Sequence, residues 1–235
     1  MEALSDLFAP IAGLPAIVGL VLTALVIFLT SDWRLSLTGL LVQYILIGLA
    51  LTRFVRVEIA VVKILVGVLA VAILYLTARR FQEMTGPAEA EPGGWQFLGL
   101  HVGWDAGPLG FPLRLLTVLL VALAVVLVFD RFSPSFQPGS GQALVPADVA
   151  FVAFWLVGLG LVGLVLSGDP LRVAPALLTV LSGFDLVYTS LESSLAVVGF
   201  WGAMTLLAAL AFAYLIVGQG MSARLAGPGD EEGQP

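Results

Sequence analysis

The sequence contains no cysteine, one histidine and one lysine, and only 11% of its 235 residues are charged. The absence of cysteine excludes disulfides, thiolate zinc sites and cysteine nucleophiles. A soluble domain carries about 25% charged residues, because its surface must be solvated by water. With less than half that charge and 60% hydrophobic residues, the chain is suited to lipid, and we predict an integral membrane protein.

Long apolar runs account for most of the sequence. A membrane-crossing helix needs roughly 20 apolar residues, with about 17 tolerated, and these runs lack the alternation of a membrane β-barrel. We predict an all-α transmembrane bundle of seven helices, a single domain over residues 1–226 without a soluble domain. The expected spans are Ile11–Leu29, Leu35–Leu51, Ile59–Leu76, Pro112–Phe129, Val149–Leu166, Leu171–Tyr188 and Leu195–Val217. The span Leu171–Tyr188 carries Arg172 and Asp185 and could instead be re-entrant or tilted.

The longer connections and the tail differ in composition from the spans. Residues 79–111 are expected to form an interfacial loop, because Trp95, Phe97 and Trp104 favour the membrane–water boundary. Residues 130–146 are rich in Pro, Ser and Gly and predict a second loop. Residues 227–235 form an acidic tail that we expect to be disordered.

The arginines predict the orientation, since cytoplasmic connections are enriched in Lys and Arg. One side of the predicted bundle holds Arg34, Arg79, Arg80, Arg114, Arg172 and Arg224, and the other holds Arg53, Arg56 and Arg131. This bias places the N-terminus outside and the C-terminus in the cytoplasm, in the plasma membrane of a prokaryotic cell. No basic block is present, so a nucleic-acid partner is not expected.

Two short segments indicate an internal repeat. LTSDWR ends the first span at residues 29–34, and LSGDPLR ends the fifth at residues 166–172. Each is followed by an apolar helix, an acidic link and another helix. Spans one to three and five to seven could therefore form two triplets with the same orientation.

Glycines within the fifth span spell a GxGxxG pattern at Gly158, Gly160 and Gly163. A nucleotide-binding loop needs a strand, a turn and then a helix, whereas this pattern lies inside an apolar helix. We therefore predict that the glycines let a neighbouring helix approach closely. Gly199 and Ala203 are expected to serve the same purpose in the last span.

Catalytic and metal-binding patterns are scarce. His101 has one nearby carboxylate, Asp105, and a lone pair of this kind is more often solvated than metal-bound. No HExxH, G-x-S-x-G or Walker sequence is present. We expect no enzyme activity, no cofactor and no metal site.

Polar residues within the spans are the most informative ones. A charge at membrane depth costs at least about 2.5–3.5 kcal/mol, so it usually faces a partner or water. Lys63 and Asp185 lie near the ends of the third and sixth spans that reach the same side of the membrane. The two could form a pair, with Gln43 on the same internal path. Alternatively, Lys63 extends to the interface on its long stem and Asp185 simply ends its helix.

Residues 189–215, TSLESSLAVVGFWGAMTLLAALAFAYL, resemble the last helix of the small three-helix subunits of Mrp-type cation/proton antiporters and respiratory complex I. Residues 37–51, LTGLLVQYILIGLAL, are loosely similar to the preceding helix of that family. The family typically carries a glutamate where this chain has Gln43. The resemblance implies an accessory membrane subunit beside an ion-translocating one, without a redox centre.

Two functions follow as expectations. A non-catalytic accessory or structural subunit of an ion-translocating complex is favoured by the scarcity of reactive groups, and its partners would be lipid and other membrane subunits. The alternative is an autonomous transporter or channel that uses Lys63, Asp185 and Gln43 as an internal polar path.

The orientation can be tested with single cysteines, since the chain has none of its own. A membrane-impermeant maleimide should label Glu2→Cys from outside the cell and Arg224→Cys only from the cytoplasm. Labelling of both positions from one side would mean an even number of spans.

Overall fold

The computed structural model describes residues 13–30, 32–53, 55–85, 94–97, 100–103, 111–132, 145–192 and 194–225. Seven helices form the described bundle: α1 (Leu14–Leu29), α2 (Trp33–Leu51), α3 (Val57–Thr85), α4 (Phe111–Phe132), α5 (Ala147–Leu166), α6 (Pro170–Leu191) and α7 (Leu195–Leu225). Six of them, all except α1, are long and apolar enough to cross a membrane. The chain is an all-α helical bundle of the membrane class.

Helix α1 has 16 described residues, or about 24 Å at 1.5 Å per residue. The predicted span began at Ile11, and that part of it lies outside the described residues, as do residues 130–146 in part and the acidic tail 227–235 in full. Helix α6 is continuous for 22 residues and long enough to cross a membrane, which argues against the re-entrant alternative for this segment.

Two aspartates define where α2 and α6 begin. Asp32 accepts the backbone N–H of Arg34 at 2.9 Å, and Asp169 accepts that of Leu171 at 3.2 Å. A side-chain oxygen at this position satisfies one of the unpaired amides of the first helical turn. The similarity between LTSDWR and LSGDPLR therefore has a local cause, because both segments carry an N-cap.

The helices form two rows of three, α1-α2-α3 and α5-α6-α7. Consecutive helices pack within each row, and across the rows α1 packs on α5, α2 on α6 and α3 on α7. The rows therefore run in the same order, which is closer to a translation than to a two-fold rotation, since a rotation would set α1 opposite α7. Helices α2 and α6 occupy the middle positions and are the most buried, whereas α4 packs mainly on α5 at the edge.

The three glycines of α5 lie at helix contacts. A Cβ on Gly160 would stand 2.9 Å from the carbonyl oxygen of Ala176 in α6, and one on Gly163 would stand 3.1 Å from the Cβ of Ala176. Gly158 faces α4 instead, 3.2 Å from Val121 by the same measure. These residues allow α5 to pack closely on two neighbours.

The prediction that Gly199 and Ala203 of α7 form a close helix contact was wrong. Gly199 and Ala203 are exposed, and a Cβ on Gly199 would meet nothing within 4 Å. The small residue that α7 packs against α3 is Gly202, where a Cβ would lie 3.3 Å from Val66. The buried face of α7 includes Val198, Gly202 and Thr205, and Gly199 is rotated about 100° from Val198 around the helix.

The segment expected as an interfacial loop, residues 79–111, contains regular structure. Helix α3 continues to Thr85 because Arg79, Arg80 and Glu83 are helix-compatible residues in an exposed turn, and Arg79 and Glu83 form an i,i+4 ion pair at 3.4 Å. Strands β1 (Gly94–Phe97) and β2 (Leu100–Gly103) pair as an antiparallel hairpin. The sequence reading missed both features because the aromatic residues there were weighed only as interfacial anchors.

The α5–α6 contact can be tested by overpacking. We expect Gly160→Leu to lower the free energy of unfolding by about 1–3 kcal/mol, since the new side chain meets backbone atoms that cannot move aside. Gly199→Leu is the matched control and should leave it unchanged, since the position is open. Heat-induced loss of helical circular dichroism in detergent measures both, and equal stability of the two variants would contradict the packing.

Candidate functional site: an intramembrane polar cluster

The structure brings Lys63 of α3 and Asp185 of α6 together inside the bundle. The Lys63 ammonium donates a hydrogen bond to Asp185 Oδ1 and forms an ion pair with it. The two side chains are only 5% and 9% exposed. Neither charge reaches out of the bundle, so the alternative of a lysine extending to the interface does not describe this structure.

The two charges lie at matching depth. Lys63 is six residues after the start of α3, and Asp185 is six residues before the end of α6. Both therefore lie about 9 Å from helix ends on the same side of the bundle, the side on which α1 begins. We refer to this side as the N-terminal side.

The ion pair crosses a gap between helices that are not packed neighbours. Among the described helices, α3 packs on α2 and α7, and α6 packs on α2, α5 and α7, but α3 and α6 hardly meet. The long Lys63 side chain spans this distance to reach the carboxylate. Asp185 Oδ1 accepts a second hydrogen bond from Thr189, one turn along α6, at 3.2 Å.

Tyr44 brings α2 into the site. Its hydroxyl lies beside Ser182 of α6 and Thr205 of α7, within electrostatic reach of Asp185. Ser182 and Thr205 donate their own hydroxyls to helix carbonyls, at 2.7 Å and 2.9 Å. Their oxygen lone pairs are therefore left as acceptors toward Tyr44, yet no hydrogen bond of normal geometry joins the tyrosine hydroxyl to any described group.

The residues Tyr44, Lys63, Ser182, Asp185, Thr189 and Thr205 constitute what we call the polar cluster. Four helices supply it, namely α2, α3, α6 and α7. The aromatic ring of Tyr44 packs directly over Gly67, one turn beyond Lys63 on α3, where any Cβ would collide with the ring. This glycine allows the tyrosine to lie against α3.

Gln43 is fully buried beside Tyr44 in α2. Neither its amide nitrogen nor its amide oxygen hydrogen-bonds to a described group of the chain, and the structure does not join it to Lys63 or Asp185. Buried polar atoms are usually satisfied by protein or by ordered water. Gln43 and Tyr44 therefore contribute buried polar atoms to an otherwise apolar part of the bundle.

Hydroxyl and carboxyl groups continue the cluster along one face of α6. Thr179, Ser182, Asp185 and Thr189 recur every three or four residues, all are buried, and such residues share one helix face. The line begins about 3 Å from the N-terminal side and ends at Thr179, about 18 Å deep. Thr179 also lines a cavity of about 50 Å³ that continues to the opposite side.

The described residues contain no group of three His, Asp or Glu side chains placed to hold a metal ion. His101 lies in strand β2, where it pairs with Gln96 of β1. Its predicted neighbour Asp105 lies outside the described residues.

Sequence reasoning identified Lys63 and Asp185 but missed Tyr44, Ser182, Thr189 and Thr205. The spacing of hydroxyl residues around Asp185 on α6 was a usable signal, since it places them on one face. Tyr44 and Thr205 carried no such signal, because they join the cluster only through the packing of α2 and α7.

The fold defines a polytopic integral membrane protein whose hydrophobic interior contains a buried polar cluster. Comparison of the chain with family models, curated proteins and solved structures finds no match. The functional argument therefore rests on the residues themselves.

The ion pair can be tested by a double-mutant cycle of Lys63→Met and Asp185→Leu. Each single replacement leaves a charge buried without its partner, so we expect the double variant to be more stable than the sum of the single losses predicts, by about 1–3 kcal/mol. Denaturation of the detergent-solubilised protein measures the four stabilities.

A matched control is the exposed ion pair Arg53–Asp148, whose side chains meet at 2.9 Å and are 36% and 38% exposed. Its cycle, with Arg53→Gln and Asp148→Asn, should give a coupling of about 0–1 kcal/mol. Additive effects at Lys63 and Asp185 would contradict the pairing.

Proposed function

We propose that this protein moves protons across the membrane through the polar cluster. The single observation that carries the proposal is the buried Lys63–Asp185 pair within the hydrophobic bundle. Ionisable residues inside transmembrane helices are expensive to bury, and they commonly mark ion pathways or proton relays.

The chemical groups of the cluster suit proton transfer. A carboxylate, an ammonium, a phenol and three hydroxyls can each accept or release a hydrogen-bonded proton. Asp185 contacts both Lys63 and Thr189, so a proton that reaches the carboxylate has a second group beside it. Bridging water at Tyr44 and Gln43 would extend this chain of hydrogen bonds.

The length of the polar line supports passage across the bundle. Helix α6 carries polar residues from Thr189 near the N-terminal side to Thr179, and the cavity carries polar lining onward to the other side. Together they cover most of the roughly 30 Å of hydrocarbon.

The tight packing around Tyr44 favours a proton over a larger solute. Its ring occupies the space above Gly67, and Ser182 on α6 is only 1% exposed. A solute much larger than water needs a wider passage, whereas a proton can move between adjacent hydrogen-bonded groups.

The accessory-subunit expectation is compatible with the same chemistry. The scarcity of reactive groups in the sequence favours that role, whereas the buried polar cluster favours translocation. The chain could perform it alone or within a larger ion-translocating assembly, and the resemblance to antiporter and complex I subunits points to the second setting.

Proton flux into liposomes tests the proposal. The purified chain is reconstituted with an enclosed pH-sensitive dye, and a potassium diffusion potential provides the driving force. We expect uptake by the unmodified protein and a loss of at least about a hundredfold in Asp185→Asn and Lys63→Gln, which is the scale of a lost proton-transfer group.

Two further variants make the result specific. Tyr44→Phe removes one hydroxyl from the cluster without changing its charge, and it should slow the proton flux. Asp148→Asn, at the exposed ion pair, should leave the flux unchanged. Liposomes that stay proton-tight with the unmodified chain would contradict transport by this chain alone. Stable isolation in a large assembly after mild solubilisation would then favour the accessory role.

A further inference from the structure

The cavity beyond Thr179 has a composition of its own. It occupies about 50 Å³ where α1 and α5 end and α2 and α6 begin, on the side opposite the N-terminal side. Its polar lining consists of Thr30, Ser36, Arg114, Ser167, Arg172 and Thr179. Among the described lining residues, the charged ones are Arg114 and Arg172.

Two half-buried arginines dominate this lining. Arg114 lies three residues into α4, and Arg172 lies two residues into α6, so both are within about 5 Å of their helix starts. Each of these two residues already has an interaction within the protein. A guanidinium carries five N–H donors in a planar fork, so an arginine can bind more than one partner at a time.

The hydroxyls of the cavity divide into two groups. Thr179 and Ser36 donate theirs to helix carbonyls, of Pro175 at 2.8 Å and of Ile27 at 3.5 Å. Thr30 and Ser167 make no side-chain hydrogen bond to another described residue, so they can donate to a ligand. These two lie just after the ends of α1 and α5, at the same level as the arginines.

The helix ends at this cavity supply few donors for a ligand. Helices α2 and α6 begin here and α1 and α5 end here, so the two pairs of helix ends contribute fields of opposite sign. Asp32 and Asp169 already cap first-turn amides there. Ligand contacts therefore fall to the arginines and to the hydroxyls of Thr30 and Ser167.

We propose that this cavity binds a phosphate group through Arg114 and Arg172. Planar guanidinium forks match the paired oxygens of phosphate. One water molecule needs about 10–15 Å³ of cavity volume, so this cavity of about 50 Å³ has room for about four waters. A phosphate group has the same number of oxygen atoms. The inference rests on the cavity's own geometry and holds whether or not the chain moves protons.

The phosphate could belong to an anionic lipid or to a free anion. The arginines lie at the level of lipid headgroups, on the side expected to face the cytoplasm, where basic pockets between helices bind such headgroups. A free anion would enter the same pocket from water.

Thermal stability of the full chain in a non-ionic detergent distinguishes these sources. We would titrate phosphatidylglycerol, phosphatidylcholine and inorganic phosphate separately, and then phosphatidylglycerol in the presence of inorganic phosphate. Ligands that bind the folded state raise its melting temperature. We expect phosphatidylglycerol to stabilise the protein and phosphatidylcholine, which is zwitterionic, to do so much less.

Variants assign the effect to the cavity. Arg172→Gln and Arg114→Gln should each weaken phosphatidylglycerol binding about tenfold, which is the loss of one charge-assisted hydrogen bond. Arg34→Gln is the matched control: Arg34 lies on the same side, is exposed and stacks on Trp33 at 5.3 Å, and the variant should bind normally. If Arg172→Gln does not fold, Arg172→Lys keeps the charge without the fork and should bind at an intermediate level.

The outcomes separate cleanly. Stabilisation by inorganic phosphate that competes with the lipid would assign a free-anion site, and stabilisation by the lipid alone would assign a headgroup site. Equal losses in the Arg34, Arg114 and Arg172 variants, or equal stabilisation by both lipids, would overturn the proposal. Proton flux is measured separately, so failure of the transport proposal leaves this result readable.

Discussion

The structure depends on how two opposite charges are kept inside a hydrophobic bundle. Each charge at membrane depth costs at least about 2.5–3.5 kcal/mol, and an ion pair repays this only when its remaining hydrogen-bonding capacity is also met. Asp185 Oδ1 accepts hydrogen bonds from both Lys63 and Thr189. The helices must therefore hold a lysine of α3 near an aspartate of α6, although these two helices do not pack on each other.

Small residues allow the helices around the ion pair to pack closely. Gly160 and Gly163 bring α5 close to α6, and Gly67 makes room for Tyr44 between α2 and α3. Middle helices α2 and α6 then contact each other across the rows, with Lys63 reaching in from the side. The polar cluster is enclosed because the four helices around it approach closely, and its stability is coupled to that packing.

Part of this arrangement could be read from the sequence. The apolar runs predicted the helix bundle, and the order of the spans placed Lys63 and Asp185 on the same side of the membrane. The position of a residue along a helix does not determine which face of the helix it occupies. Gly199 and Ala203 were predicted at a helix contact, but they lie one residue away from the buried face of α7. Tyr44 and Thr205 could not be found, because their role arises from contacts between helices distant in sequence.

The central claim is that the interior around Asp185 is polar enough to admit water, and silver-ion accessibility tests it most directly. Ser182→Cys places a thiol on the cluster, whereas Ala153→Cys places one in the apolar core of α5, and the two native residues are 1% and 2% exposed. Silver ions are comparable in size to water and bind soft thiolates. The account predicts that added silver reacts at Cys introduced for Ser182 and blocks proton flux, while the Ala153 variant stays unmodified. Equal protection of both thiols would contradict a hydrated polar path.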